Sequence, residues 1–500
     1  MDCAEDFLKI ADDFKLGHLL TEGASPHTTG LSQMVILNPE EAVEKFSQVD
    51  FEMLDILSSK TELISNISQK IMACFERGGR LFLSGCGATG RLSLVIENIW
   101  RQEYPDKADK LVAFMAGGDL ALIHSIEKFE DFPEYGKRQL EELGFGDKDL
   151  LLATTEGGET PWVIGTALAA EKIGGDCIFL FCNTEDSLVR LERCRQVFEN
   201  KNILKANFTT GPQALTGSTR LQASSILTGA IGAALFHGEN LESIQTFTYR
   251  LRDWYKEIER KKIIPFFQEE AKIYKDDGRV YYTPNRELAI SVLTDTTERS
   301  PTFNLTGFDN RFEEKETSLC YLAFPHSEES KVAWEKLLYR EPRPLEWPEV
   351  ASQAGGKRLY GFDFSREVFN WRKKAEPFEV FSITQKDDQL LWELGNTQAF
   401  FPLPKGDRLS SHLILKMLLN MHSTLLMGLM GRYESNVMTF VKPSNNKLID
   451  RATRYGIQLL KEKKGREASY EEGVKACFRA LKNVSSGNPV VLEIVKELCS

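Results

Sequence analysis

The sequence predicts an α/β protein: two doubly wound, parallel-sheet αβα domains in tandem, closed by a short helical C-terminal cap. Three observations predict it. Short apolar runs alternate with stretches of helical periodicity, a glycine-rich turn joins the first run to a helix, and the second half repeats the layout without that turn. A chain of 500 residues is also too long for one core.

Residues 1–40 read as an irregular extension with turns at Glu22-Gly23 and Ser25-Pro26. From Glu41 to Arg77, Val43, Phe46, Leu54, Leu57, Ile64, Ile67 and Ile71 recur at helical spacing and predict two helices. Strands are expected at 80–84, 111–116, 149–153 and 177–182, with helices near 91–103, 120–143 and 160–172. That alternation calls for a parallel sheet, and residues 41–240 form the first unit. In the second unit, 241–440, strands are expected at 279–283, 318–323, 357–361, 379–384 and 398–402. The helix after Arg408 stands in its half where the helix after Arg220 stands in the first, the mark of a diverged duplication. Residues 441–500 form the helical cap.

Composition narrows the function classes. Net charge is −11 and no basic run is interleaved with aromatics, which argues against nucleic acid as a partner. The N-terminus, MDCAEDFLKIADDF, lacks the basic-then-apolar plan of a signal peptide. The most apolar long stretch, Leu413 to Met430, holds Lys416, Asn420 and His422 and reads as a buried helix, so no membrane contact is expected. The 9 cysteines include no C-x-x-C pair, and the 7 histidines cluster with neither one another nor the cysteines. These features predict no metal, no cofactor and a reduced, cytoplasmic setting.

The stretch that carries chemistry is Gly78 to Trp100, GGRLFLSGCGATGRLSLVIENIW. A strand, a small-residue turn and a helix aim free backbone N–H groups at an anion. Ser84, Gly87, Ala88, Thr89, Gly90 and Arg91 are the expected cradle, and a phosphate is the natural guest. Gly85, Gly87 and Gly90 also satisfy G-x-G-x-x-G, but a dinucleotide site needs an acid about 20 residues on, at the end of the next strand. Asp109 precedes that strand and Asp119 lies beyond Gly117-Gly118, so the dinucleotide reading fits poorly. A second strand-end loop runs from Thr154 to Pro161, where Thr155 and Thr160 offer hydroxyls while Glu156 and Glu159 oppose a phosphate. A third, Thr210 to Leu221, precedes an apolar helix that Thr216 or Ser218 would cap.

Four motifs in order, GGRLFLSGCGATGR, TTEGGETPWVIG, GPQALTGSTRL and SNNKL, resemble the signatures of sugar isomerase (SIS) domains in the N-acetylmuramic acid 6-phosphate etherases and in the glucokinase regulatory protein. YYTPNRELAISVLTDTTERSPTF in the second half resembles the fused, two-copy type. The resemblance spans roughly 20–460 and implies one composite sugar-phosphate site per chain, within an intramolecular pseudo-dimer. Carried over residue by residue, that site holds Ala88, Thr89, Glu130, Thr155, Glu156, Gly157, Glu298 and Lys447, with Ser218 in the third loop. Glu298 would protonate a departing C3 lactyl ether while Glu130 removes the C2 proton.

Four positions depart from the pattern: Ala88 for a hydroxyl residue, Gln213 for Glu, Gln222 for Lys, and Glu159 for a basic residue. The resemblance therefore implies one of two functions, a carbon–oxygen lyase acting on an amino-sugar 6-phosphate or a non-catalytic sensor of fructose phosphates that controls a sugar kinase. An aldose–ketose isomerase is a third reading, with His124 near Glu127 as its base.

Overall fold

The computed structural model describes residues 4–126, 129–313, 317–324, 326–375, 377–441, 443, 445–483 and 488–500. Cys3, Glu127 and Ser444 of the SNNKL motif lie outside the described residues. The first sheet comprises β1 (Leu81–Gly85), β2 (Leu111–Met115), β3 (Leu150–Thr154), β4 (Asp176–Phe181) and β5 (Ile203–Asn207). Its order is β2-β1-β3-β4-β5 and every pairing is parallel. Alternate residues feed two layers, as strand periodicity dictates. Leu81, Leu83, Leu111 and Leu150 join one core with the helices Pro39–Ser59 and Thr61–Glu76. Phe82, Val112 and Leu151 join another with the helices Pro133–Glu142 and Pro161–Ile173.

β1 leads outward to β2 while β3 starts the walk the other way, so the strand order reverses at the β1/β3 boundary. Crevices at such reversals, off the carboxyl ends of the strands, hold ligands in open α/β sheets. Gly85 and Thr154, the last residues of the two strands, are register partners. The glycine turn and the Thr154–Pro161 loop therefore leave the sheet side by side.

The second sheet comprises β6 (Arg279–Pro284), β7 (Cys320–Leu322), β8 (Phe378–Lys386), β9 (Gln389–Leu394) and β10 (Thr397–Pro402). Its order, β10-β9-β8-β6-β7, matches the first strand for strand. The expectation of a wholly parallel sheet fails here: β6 pairs in parallel with β7 and β8, but β8, β9 and β10 run antiparallel. Two-residue turns replace the helical crossovers, with positive φ at Asp387 (51°) and Gly395 (56°). Such turns match the twist of a hairpin. The strand expected at 357–361 is instead part of the helix Gly356–Gly361, and β5 and β9 went unread.

Other expectations change in detail. The helix expected over 120–143 is two short 3₁₀ turns, Asp119–Leu122 and Phe129–Asp131, then Pro133–Glu142, because Pro133 starts a helix rather than continuing one. The extension is partly helical, at Ala4–Ile10 and Leu31–Leu37, and it crosses the strand ends, where Ser25 N–H donates to the Gln213 carbonyl (3.0 Å). The cap comprises the helices Asn446–Lys464, Tyr470–Asn483 and Val490–Cys499.

The two halves share a core. Gln222–Phe236 packs against Arg408–Leu429, the helix matched to it by position. An arm from the second half reaches the edge of β2, where Arg340 pairs with Asp119 (2.6 Å) and Glu97 (2.9 Å). Arg343 donates to the Ala113 carbonyl (2.8 Å), and Trp347 stacks on Phe129 (ring centroids 6.0 Å apart).

Candidate functional site

The glycine turn is built to stay open. Gly87 takes φ +56°, ψ −121°, and a Cβ placed there meets nothing within 4 Å. Gly85 allows the helix Ala88–Glu103 to start against the strand: a Cβ there would lie 2.3 Å from the Thr89 carbonyl carbon. Thr89 is buried and closes the turn from inside; its Oγ1 accepts from Cys86 N–H (2.9 Å) and donates to the Cys86 carbonyl (2.9 Å). The N–H groups of Gly87 and Ala88 donate to no described residue. Two free donors at a helix N-terminus, beside an unfilled space, suit a phosphate.

Glu130 reaches this turn: the Cys86 thiol donates to its Oε2 (3.5 Å). Burial, with Glu130 next in effect, pushes that thiol well above its ordinary range, so Cys86 stays protonated.

Glu159, the apparent charge reversal, carries its own cations. Burial would raise its carboxyl, but Lys447 Nζ (2.6 Å) and Arg193 Nη2 (2.7 Å) hold it down at about 2. Lys447 in turn resists its own burial through Glu159 and Glu130 and stays charged. The cap helix is tied further to the extension, where Arg451 and Arg454 both pair with the buried Glu22. Burial would raise Glu22 too, yet Arg451 and Arg454 bring it to about 2.

The other two departures also find partners. Gln222 Nε2 donates to Asp50 (2.8 Å) and its Oε1 accepts from Ala214 N–H (3.0 Å). Gln213 Oε1 accepts from Ala223 N–H (3.0 Å) while its Nε2 donates to Thr210 Oγ1 and the Gly211 carbonyl. Both amides are buried and help fix the 210–223 segment. Lys416 holds the same segment from the second half, donating to the Arg220 carbonyl (2.8 Å) and Ser225 Oγ (3.0 Å).

Across the junction, the Leu122 carbonyl accepts from Arg91 Nη2 (3.3 Å) and from Thr297 Oγ1 (2.7 Å). This clasp sets Arg91, from the first turn of its helix, toward Glu298 on Ala289–Phe303. Glu298 is buried, forms no ion pair or hydrogen bond among the described residues, and burial raises its carboxyl against Arg91, Arg220 and Lys416. Glu156, in the loop two residues past the end of β3, is buried with Oε1 unpartnered. Arg91 Nε and Ser218 Oγ are likewise buried without partners.

Glu130 thus reaches the glycine turn, Lys447 lies by Glu159 and Glu130, and Arg91 faces Glu298 and Glu156. Some hydroxyls expected there are spent elsewhere. Ser84 Oγ bonds Thr166 Oγ1 (2.9 Å) within the core, and Thr155 Oγ1 bonds Thr160 Oγ1 (3.0 Å) and Gly158 N–H, shaping the loop rather than facing outward. Neither Thr216 nor Ser218 caps the helix Gln222–Phe236; Leu221 stands at its cap position. Thr216 donates instead to the Asn436 carbonyl. His124 stacks on Phe362 across the junction. Sequence reasoning missed Arg193, Glu22 and the role of Lys416, since partners separated by 34 to 432 residues leave no local pattern.

Residues 62–171 match the family described as the glucokinase regulatory protein N-terminal SIS domain. The chain is similar to the N-acetylmuramic acid 6-phosphate etherase of Bacillus pumilus, 30% identical over 211 residues, which are 42% of this chain and 65% of that protein. It is 32% identical to the etherase of Rippkaea orientalis over 210 residues, 42% of this chain and 64% of that protein. The match thus spans just under two thirds of each relative's length. Among solved structures it superposes on the tagatose-6-phosphate ketose/aldose isomerase of Escherichia coli with TM-score 0.46 and 10% identity, over 85% of this chain and all (100%) of that one. No helix among the described residues is long and apolar enough to cross a membrane.

Proposed function

We propose that this chain binds one sugar phosphate in the composite site, with the phosphate on the glycine turn and the sugar between Glu130 and Glu298. The observation that carries this is a set of buried polar groups left without partners among the described residues: Glu156 Oε1, Arg91 Nε, Ser218 Oγ and the Glu298 carboxyl. Buried polar groups are normally satisfied, and a polyhydroxylated anion supplies what these lack. The second half offers no equivalent turn, because Thr283-Pro284-Asn285-Arg286 stands in its place.

The activity the geometry supports best is elimination of lactate from N-acetylmuramic acid 6-phosphate. Glu298, whose carboxyl burial raises, donates to the leaving C3 ether oxygen while Glu130 takes the C2 proton. The match of residues 62–171 to the regulatory-protein family favours a second reading, a sensor that controls a sugar kinase. Lactate release from N-acetylmuramic acid 6-phosphate separates the two. Release in the parent chain, lost on Glu130→Ala and on Glu298→Ala, is expected of the lyase. No release, with thermal stabilisation by fructose 6-phosphate, is expected of the sensor. Titration calorimetry should give one ligand per chain on either reading, and two per chain would end the composite-site proposal.

A further inference from the structure

Glu159 is a buried carboxylate divided between two cations from distant parts of the chain. Its Oε1 accepts from Lys447 Nζ (2.6 Å), on the helix Asn446–Lys464, and its Oε2 accepts from Arg193 Nη2 (2.7 Å), on the helix Glu192–Phe198. Arg193 grips the same residue a second time, since its Nε donates to the Glu159 carbonyl (3.0 Å). The loop that carries Glu159 leaves β3 beside the glycine turn, and the carboxylate folds over Gly157, where a Cβ would sit 3.6 Å from Oε1. Lys447 also feels Glu130, the carboxylate that accepts from the Cys86 thiol in that turn. Arg451 and Glu22, the other charges that act on Lys447, are bound to each other.

One carboxylate shared by an ammonium and a guanidinium leaves the trio with a net positive charge. An ammonium has three N–H donors, and the bond to Glu159 is the one hydrogen bond or ion pair that Lys447 forms among the described residues. Its side chain is 28% exposed, against 5% for that of Glu159. A cation anchored by one buried partner, with further donors uncommitted, is suited to an oxygen anion. Without Arg193, however, Glu159 would cancel the Lys447 charge and oppose an incoming phosphate with its own.

We propose that Arg193 is a positioning residue of the phosphosugar site: by binding one oxygen of Glu159 and cancelling its charge, it leaves Lys447 fixed in place and able to bind the phosphate. This rests on the phosphosugar reading. Glu159 sets where the ammonium lies, and Arg193 keeps Glu159 from repelling the ligand.

The test is calorimetry of the full chain with fructose 6-phosphate and with N-acetylmuramic acid 6-phosphate at low salt. Arg193→Gln leaves Glu159 to Lys447 alone and should lower affinity about tenfold, the effect of one uncompensated charge a few ångströms from the ligand in a partly wet site. Adding Glu159→Gln removes that charge, keeps an oxygen for Lys447, and should return affinity to within about threefold of the parent. Arg193→Lys, which keeps the cation, should also stay within about threefold. A merely structural Arg193 would show no such rescue, because the double variant has lost the grip on the loop as well as the ion pair. Parent-like affinity in Arg193→Gln, or a double variant no better than the single one, overturns the proposal. Should Arg193→Gln not fold, Glu159→Gln alone decides: it should bind about tenfold tighter than the parent, and binding no tighter overturns the proposal equally. A parent chain that binds neither sugar rejects the phosphosugar reading itself, whereas a parent that binds, with every variant alike, rejects only the role of Arg193.

Discussion

Replacing Thr89 with glutamate should abolish sugar-phosphate binding, a loss of at least about 100-fold, or roughly 3 kcal/mol. The argument is geometric and electrostatic at once. Thr89 Oγ1 satisfies both Cys86 N–H and the Cys86 carbonyl, so its replacement opens the turn from inside. The added carboxylate then lies at the helix N-terminus where the phosphate is to sit, and like charges at a few ångströms in a partly dry site repel strongly. Ala88→Glu, at a half-exposed position in the same turn, places the charge without disturbing the Thr89 bonds and should lose binding equally. Calorimetry with fructose 6-phosphate and N-acetylmuramic acid 6-phosphate decides it. Unchanged affinity in both variants would put the ligand somewhere other than the turn.

The largest expected effect on stability lies in the second half. Arg299 donates to Glu270 (2.8 Å), to Asp295 (3.0 Å) and to the Tyr282 hydroxyl (2.8 Å), and all four side chains are buried. Tyr274 and Tyr282 complete the shell around Glu270, and Asp295 continues through Arg220 and Ser423. Arg299→Met keeps the length of the side chain and removes its charge, leaving two carboxylates buried with less compensation. Breaking a buried ion pair on one side costs about 3–5 kcal/mol. Urea unfolding should show that loss in the midpoint; a change under about 1 kcal/mol would mean that the tyrosines and Arg220 suffice without the guanidinium.

Much of the first sheet is legible in the sequence because its strands are short, continuous apolar runs bounded by turn residues, as in LFLSG, LVAFM and LLLAT. β5 escaped because Lys205 and Asn207 break its apolar run at the sheet edge. The second sheet was harder for a different reason. β8 to β10 are joined by two-residue turns, so the run from Phe378 to Pro402 contains hairpins where crossover helices were sought. Residues 357–361 show the ambiguity of a brief apolar run, which a single helical turn satisfies as well as a strand does. The glycine turn could be read from its own residues, whereas Glu130 and Glu298 were reached only through the resemblance. No local pattern marks a carboxylate that meets its site through folding. The departures at Gln213, Gln222 and Glu159 could not be weighed before their partners Asp50, Ala223, Lys447 and Arg193 were in view.

The arm that crosses from the second half to β2 also bears on what the first sheet is protected from. An edge strand ordinarily presents a row of open carbonyls and amides, a template on which another chain can add a strand and begin to aggregate. Here Arg343 occupies the Ala113 carbonyl, and residues 343–345 lie beside Gly118 and Asp119 at the strand's end. The opposite edge, β5, carries Lys205, a charge of the kind that discourages pairing. Sequence from the second half thus serves in part as a guard rail, keeping the first sheet from being extended by a stranger.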